Sequence, residues 1–198
     1  MKTIIVLANP KVDSFNHAIV KSICEGFDQV GEEYEIWDLY KMGFNPVITE
    51  KEYQKFGYGE LVEEDVKSMY NTLLNDTHRL VIVYPLSHFN MPAILSGFFE
   101  RVFVGTAIST GDGKLYFKPM LNIEKTVLIQ TSLGEKTLSD KGFDLYQKDE
   151  VVEISLEKIG LFNIKFYHYT DLIESKEEDR KRFLESIKQR AIEDTIKS

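Results

Sequence analysis

The sequence predicts a three-layer α/β protein on a mainly parallel sheet, and three observations predict it. Short β-branched or apolar runs recur at residues 3–8, 34–39, 80–85, 126–131 and 164–169. A segment with helical apolar spacing fills each interval between them, the pattern of βαβ units. Runs 3–8 and 80–85 are nearly continuous in apolar residues, as strands covered on both faces are, and are expected at the centre. Parallel strands need crossovers, and right-handed crossovers lay helices on both faces of the sheet.

The first helix follows from Ala18, Ile19, Ile23 and Phe27, an apolar face that stops at Gly31. In the second run Tyr34, Ile36 and Trp37 read as packing residues. A second helix is predicted over 60–75, with Val62, Val66, Met69 and Leu73 on one side. The third takes Asn90 as N-cap and Pro92 near its first position, then carries Ile94, Leu95, Phe98, Phe99 and Val102. Phe98, Phe99 and Phe103 suit either the core or a subunit surface. A fourth helix lies within 147–159 and a fifth within 175–196, where Phe183, Leu184, Ile187 and Ala191 mark a buried stripe. The charged run 174–182 is its solvated face.

No repeat or low-complexity linker divides the 198 residues, so a single domain over 1–198 is expected. Segments 42–60 and 104–124 exceed what bare alternation requires. They are expected to cover a pocket or to build a partner surface.

Hydrophobic residues make up 43% and charged residues 28%, which disfavours disorder and coiled coil. The 24 Lys and Arg against 32 Asp and Glu leave a formal net charge of −8, and no basic stripe offsets it. Nucleic acid and anionic membranes are therefore excluded as expected partners. No apolar run approaches the ~20 residues of a membrane span, and the first is too short for a signal core. Cys24 is the one cysteine, expected to be a buried, inert thiol in a reducing cytoplasm. His17 reads as a first-turn surface residue, His78 as a strand lead-in and His168 as a strand residue, none with a metal-ligating partner at useful spacing.

Open parallel sheets bind ligands beyond the carboxyl ends of their strands, where strand order reverses. The loop after the first strand, Asn9-Pro10-Lys11-Val12-Asp13-Ser14-Phe15-Asn16, contains no glycine, which excludes both GxxxxGK[ST] and GxGxxG there. Ser14 or Asp13 can cap the following helix, leaving the Phe15 and Asn16 N–H groups and the Ser14 hydroxyl for an anion. An ordinary N-cap explains the same residues, and on this loop alone both readings stand. The loop after the third strand, from Tyr84-Pro85-Leu86-Ser87-His88-Phe89 to Asn90-Met91-Pro92, gathers aromatic rings, an imidazole and backbone N–H groups suited to a flat heteroaromatic ring. Gln130-Thr131-Ser132-Leu133-Gly134-Glu135 adds hydroxyls and a glycine at the same edge. A response-regulator site would need acidic residues where Asn9 and Pro85 stand.

These residues carry a resemblance. Asp13-Ser14-Phe15-Asn16-His17-Ala18, Asp38-Leu39-Tyr40 with Phe44-Asn45-Pro46-Val47, Tyr84-Pro85-Leu86 with Met91-Pro92-Ala93-Ile94-Leu95, and Gly97-Phe98-Phe99-Glu100-Arg101-Val102-Phe103 resemble the flavodoxin-like NAD(P)H:quinone oxidoreductases. The modulator-of-drug-activity and potassium-efflux-accessory branches are resembled equally. The likeness runs in order from Met1 to Gly134 and thereafter concerns general layout. It implies a flavodoxin-like fold with strand order 2-1-3-4-5, bound FAD or FMN, and a homodimer. It also implies ping-pong hydride transfer from NAD(P)H to a quinone or similar acceptor.

By the same resemblance Asn9, Ser14, Phe15 and Asn16 would hold the flavin's phosphate end. Pro85, Leu86, Ser87, His88 and Phe89 would border the ring, and Thr131, Ser132, Leu133 and Gly134 its other edge. Asn9 stands where the family has histidine, His88 where it has tryptophan, and Thr131-Ser132-Leu133-Gly134 where it has Thr-Thr-Gly-Gly. His88 and Tyr146 are the candidate catalytic residues, and no histidine matches the family's acceptor-site histidine. The alternative is a flavoprotein acting mainly as an accessory subunit or electron carrier.

Overall fold

The computed structural model describes residues 1–87, 90–110, 112, 114–118, 122–134 and 156–196. Five strands form one all-parallel sheet: β1 (Lys2–Leu7), β2 (Tyr34–Asp38), β3 (Thr77–Pro85), β6 (Lys125–Thr131) and β7 (Ile164–Tyr169). Their spatial order is β2-β1-β3-β6-β7. Counting the five runs read from the sequence, this is the expected 2-1-3-4-5. A short antiparallel pair, β4 (Ala107–Ser109) and β5 (Leu115–Phe117), was not foreseen. The helices are α1 (Phe15–Val30), α2 (Glu50–Gln54), α3 (Glu64–Asn75), α4 (Ala93–Val102) and α5 (Glu177–Ile196).

Successive residues of β1 and β3 feed two cores, because side chains alternate across a strand. Ile4, Val6, Leu80, Ile82 and Leu128 pack beneath Leu73 of α3 and Leu95 and Phe98 of α4. Ile5, Val81, Val83 and Ile129 pack beneath Ile19, Ile23 and Phe27 of α1 and Ile187 of α5. Helices α1 and α5 touch closely at Gly26, where a Cβ would lie 2.8 Å from the Lys188 carbonyl oxygen. Arg79 ties β3 to the end of α5 through Thr195 Oγ1 at 2.9 Å.

Several element ends differ from the sequence reading. Asn90 is not the N-cap of α4: Pro92, with ψ 144°, holds that position, and the helix starts at Ala93. Asn90 instead exchanges two 2.8 Å backbone hydrogen bonds with Ser87. The helix predicted over 60–75 begins at Glu64. Strand β3 begins at Thr77, so His78 lies inside it, 2.7 Å from Glu32 Oε1. Trp37 is buried, but Ile36 is 42% exposed on the edge strand and does not pack as expected. Phe98 and Phe103 belong to the core. Most of the predicted 147–159 helix falls outside the described residues.

Segment 42–60 is anchored by charge. Thr49 and Glu52 form a capping box at α2, each side chain bonded to the other's backbone N–H. Glu52 also accepts from Arg101 at 2.9 Å, both side chains being almost fully buried. Arg101 further donates to the Asn45 carbonyl and lies 5.4 Å above the Phe44 ring. Burial alone would push the Glu52 carboxyl up. Its bonds from Arg101 and the Thr49 N–H, with the guanidinium's attraction, outweigh that and hold it below the usual carboxylate value. The two excursions then join: Ser109 N–H donates to the Gly57 carbonyl at 2.6 Å, and Tyr58 bridges Ile108.

Two outcomes follow for stability. A Cβ on Gly97 would sit 2.2 Å from the Pro46 carbonyl oxygen. Gly97→Ala should therefore cost at least about 1–3 kcal/mol in a urea titration. Removing one partner of the buried pair with Glu52→Gln should cost about 3–5 kcal/mol. Because the folded carboxyl is held low, its contribution is complete above the unfolded carboxylate range and is lost as pH falls through the folded value. The acid limb of stability against pH should be shallower in E52Q than in the parent.

Candidate functional site

The carboxyl ends of β1, β3 and β6 meet where strand order reverses, the place such sheets keep for ligands. Ser14 caps α1 with φ −84° and ψ 161°, its Oγ accepting from the His17 N–H. Phe15 and Asn16 N–H groups thus open onto the site, outside the helical ladder. At the other end Gly31, at φ 71°, closes the helix as read from the sequence.

A polar chain crosses the sheet at this edge. Asn9 Oδ1 accepts from the Lys11 N–H at 2.9 Å, which turns its Nδ2 toward Asn16 Oδ1 at 3.1 Å. Thr131 donates to the same Asn16 oxygen at 2.9 Å. With Oδ1 occupied twice, the Asn16 amide nitrogen, 99% buried with its residue, has no hydrogen-bond partner among the described residues. A buried amide donor without an acceptor is costly, and an anion oxygen at the start of α1 would relieve it.

The other expected loops complete the edge. Pro85 pairs with Thr131 across the sheet, and the Leu86 N–H donates to the Thr131 carbonyl at 2.7 Å. Ser87 is held by its exchange with Asn90. Thr131 and Ser132 are buried, and Ser132 is tied to β7 by an N–H bond to the Tyr169 carbonyl at 2.9 Å. Leu133 is exposed and, with Gly134, His168, Tyr169, Asp171 and Glu174, lines an open pocket of about 700 Å³. His88, Phe89 and Tyr146 lie outside the described residues.

The structure therefore joins Asn9, Asn16, Thr131, Pro85 and Leu86 directly, with Ser14 at the start of the same helix bonded to His17. The ring of Phe15 turns away and packs 4.9 Å from Tyr169, so its backbone N–H is what faces the edge. Three neighbours, His17, Asp38 and Tyr169, were given no part in the site by the sequence. His17 is no free surface residue: its Nδ1 lies 2.9 Å from Ser14 Oγ and its Nε2 3.4 Å from Asp38 Oδ2. The signal was its place three residues after the N-cap, beside a strand-ending aspartate on the adjacent strand. Tyr169 is the third, ringed by Phe15 and Phe183, with a buried hydroxyl that has no partner among the described residues. Cys24 is half-buried rather than buried as expected, and its partial burial pushes the thiol up. Among the described residues no group of three metal-ligating side chains occurs.

Sheet order and the cluster of donors at its reversal define a doubly wound α/β protein of the flavodoxin-like class. The chain belongs to the flavodoxin-like fold family, whose model matches residues 1–191. It is 29% identical over 162 residues to NAD(P)H dehydrogenase (quinone) 1 of Cavia porcellus, which covers 71% of this chain and 57% of that protein. The chain spans little more than half the length of the curated relatives it matches first. Among solved structures, an NAD(P)H:quinone oxidoreductase from Methanothermobacter marburgensis superposes with TM-score 0.83 at 23% identity, covering 97% of this chain and 98% of that one. An FMN-dependent NADH-azoreductase from Bacillus anthracis, in complex with FMN, superposes with TM-score 0.73 at 20% identity, covering 96% and 98%.

The unpartnered phenol gives a test of this geometry. Replacing a buried hydroxyl that has no partner by hydrogen removes only its desolvation cost. In the ligand-free protein Tyr169→Phe should leave the melting temperature unchanged or raise it, whereas a bonded hydroxyl would make it fall.

Proposed function

We propose that this chain is a flavin-dependent NAD(P)H oxidoreductase acting on quinones or similar two-electron acceptors. The observation that carries the reading is the buried, unpartnered Asn16 amide beside the open N-terminus of α1. The names of its relatives and the FMN bound in the azoreductase support it.

The residues present fit a flavin's phosphate end: neutral amides, a serine hydroxyl and helix N–H groups, the donor set an anion needs without a P-loop. Ser14 Oγ, the Phe15 and Asn16 N–H groups and the Asn9 and Asn16 amides would hold it. Pro85, Leu86 and Ser87, with His88 and Phe89, would border the ring, and Thr131 to Gly134 would close its other edge. When bound, the flavin supplies two-electron chemistry, taking a hydride from NAD(P)H and passing it to the acceptor in turn. His88 is proposed to tune charge at the ring and Tyr146 to serve the acceptor's proton. The pocket of about 700 Å³ beside Gly134, lined by Leu133, His168 and Tyr169, would take the second half of the cofactor if that cofactor is FAD.

The chain is further proposed to act as one flavodoxin-like unit, in the cytoplasm and as a homodimer. No helix among the described residues is long and apolar enough to cross a membrane. Tyr53, Phe56, Tyr58 and Met42, all exposed on the 42–60 flank, are the surface a second copy would cover.

Purified protein should be yellow, or become so with FMN or FAD, and should oxidise NAD(P)H with menadione. A colourless protein that takes up neither flavin would overturn the proposal. Acid extraction and chromatography of the bound group should distinguish FAD from FMN. Asp caps a helix as well as Ser, so Ser14→Asp should melt like the parent. It should nevertheless bind flavin at least about tenfold more weakly, because it places like charge beside phosphate.

A further inference from the structure

The hydrogen bonds that build the anion edge come from amides, hydroxyls and backbone, with no Lys or Arg side chain among them in the described residues. A phosphate nevertheless brings about −1.5 to −2 charges at neutral pH. Among the described residues, the group bonded into the edge that can become a cation is His17. Its ring spans Ser14 Oγ, 2.9 Å from Nδ1, and Asp38 Oδ2, 3.4 Å from Nε2, and its own backbone N–H is capped by the same Ser14 oxygen.

The protonation state of His17 decides what Ser14 can offer. With a neutral imidazole that donates from Nε2 to Asp38, Nδ1 is an acceptor and the Ser14 hydroxyl proton points at it. The hydroxyl is then turned inward and unavailable to a ligand. With an imidazolium, Nδ1–H donates to Ser14 Oγ, and the hydroxyl proton is released to point outward at an anion. One proton therefore adds a positive charge one bond from the anion site and also converts Ser14 into a donor toward it. Asp38 balances that charge from the end of β2, its other oxygen fixed by the Lys41 N–H at 3.1 Å. The remaining charges nearby in sequence, Lys11 and Asp13 in the loop and Lys21 one turn along α1, are exposed. The 99% buried Asn16 amide without a partner independently marks the edge as built for an acceptor.

We propose that His17 is the proton-coupled cation of this site, so that a phosphorylated ligand binds together with one proton on the Ser14–His17–Asp38 relay. The proposal rests on the assignment of this edge to the flavin's phosphate end. Binding should tighten roughly tenfold as pH falls from about 8.5 to about 5.5.

The test is isothermal titration of the flavin-free chain with FAD, whose diphosphate keeps its charge over this range, and with FMN. Each runs in two buffers of different ionisation heat, which counts protons taken up. A tenfold tightening corresponds to an uptake by the parent that peaks at about half a proton near the middle of this range. His17→Gln should take up none with FAD and bind with the parent's high-pH affinity at every pH. The FMN phosphate titrates near about pH 6, and the glutamine variant measures that background. Asp38→Asn, which leaves the ring in place, should shrink both the uptake and the pH dependence. Equal uptake and equal pH profiles in parent and His17→Gln would overturn the proposal. If no flavin binds, the flavin assignment falls, and inorganic pyrophosphate decides the matter with the His17 ring resonances followed by NMR. A titration midpoint that moves up on adding pyrophosphate supports the relay, and an unmoved one overturns it.

Discussion

A single carboxamide holds the functional edge together. Asn16 Oδ1 receives both Asn9 from the loop after β1 and Thr131 from the end of β6. Because β3 lies between β1 and β6, that oxygen bridges the central strand of the sheet. The direction in which the α1 N–H groups point is therefore set by β6, a strand that α1 does not follow in the chain. Thr131 in turn is fixed by its pairing with Pro85 and by the Leu86 N–H, so the three loops share one framework. The bonds that orient Asn16 also leave its nitrogen without an acceptor among the described residues, so the amide that orders the edge is the one left unsatisfied.

The opposite sheet face carries the parts a minimal fold lacks. The buried Glu52–Arg101 pair clamps segment 42–60 to α4, Gly97 lets Pro46 approach the helix backbone, and Tyr58 and Ser109 join that segment to the β4–β5 pair. A buried ion pair does little for net stability but penalises any arrangement that separates its members. It therefore fixes where the exposed Tyr53, Phe56 and Tyr58 stand.

Periodicity made the fold legible. Alternation of β-branched runs with helical spacing identified the five principal strands, since burial on both faces leaves a plain apolar signature. It failed where local chemistry outweighed pattern. Pro92 displaced Asn90 from the cap, and the β4–β5 pair was too short to leave a period. That the loops after β1, β3 and β6 meet at one edge was legible from strand order and family likeness, but the bonds that join them were not. His17 and Asp38 are neighbours only because β2 lies beside β1, a fact of topology that no local spacing carries. Glu52 did leave a local sign, the Thr49-x-x-Glu52 box, yet nothing in sequence shows that the carboxylate turns inward to an arginine 49 residues away.

The Asn16–Thr131 bond has a consequence in time as well as space, for it joins residues 115 positions apart. During synthesis α1 emerges early, and its first turn waits, half-assembled, until β6 has left the ribosome. The aromatic seam that seats Phe15 waits longer still, for Tyr169 and then Phe183. Such distant pairings are slow to close. The edge at the start of α1 is thus complete only when nearly all of the chain exists.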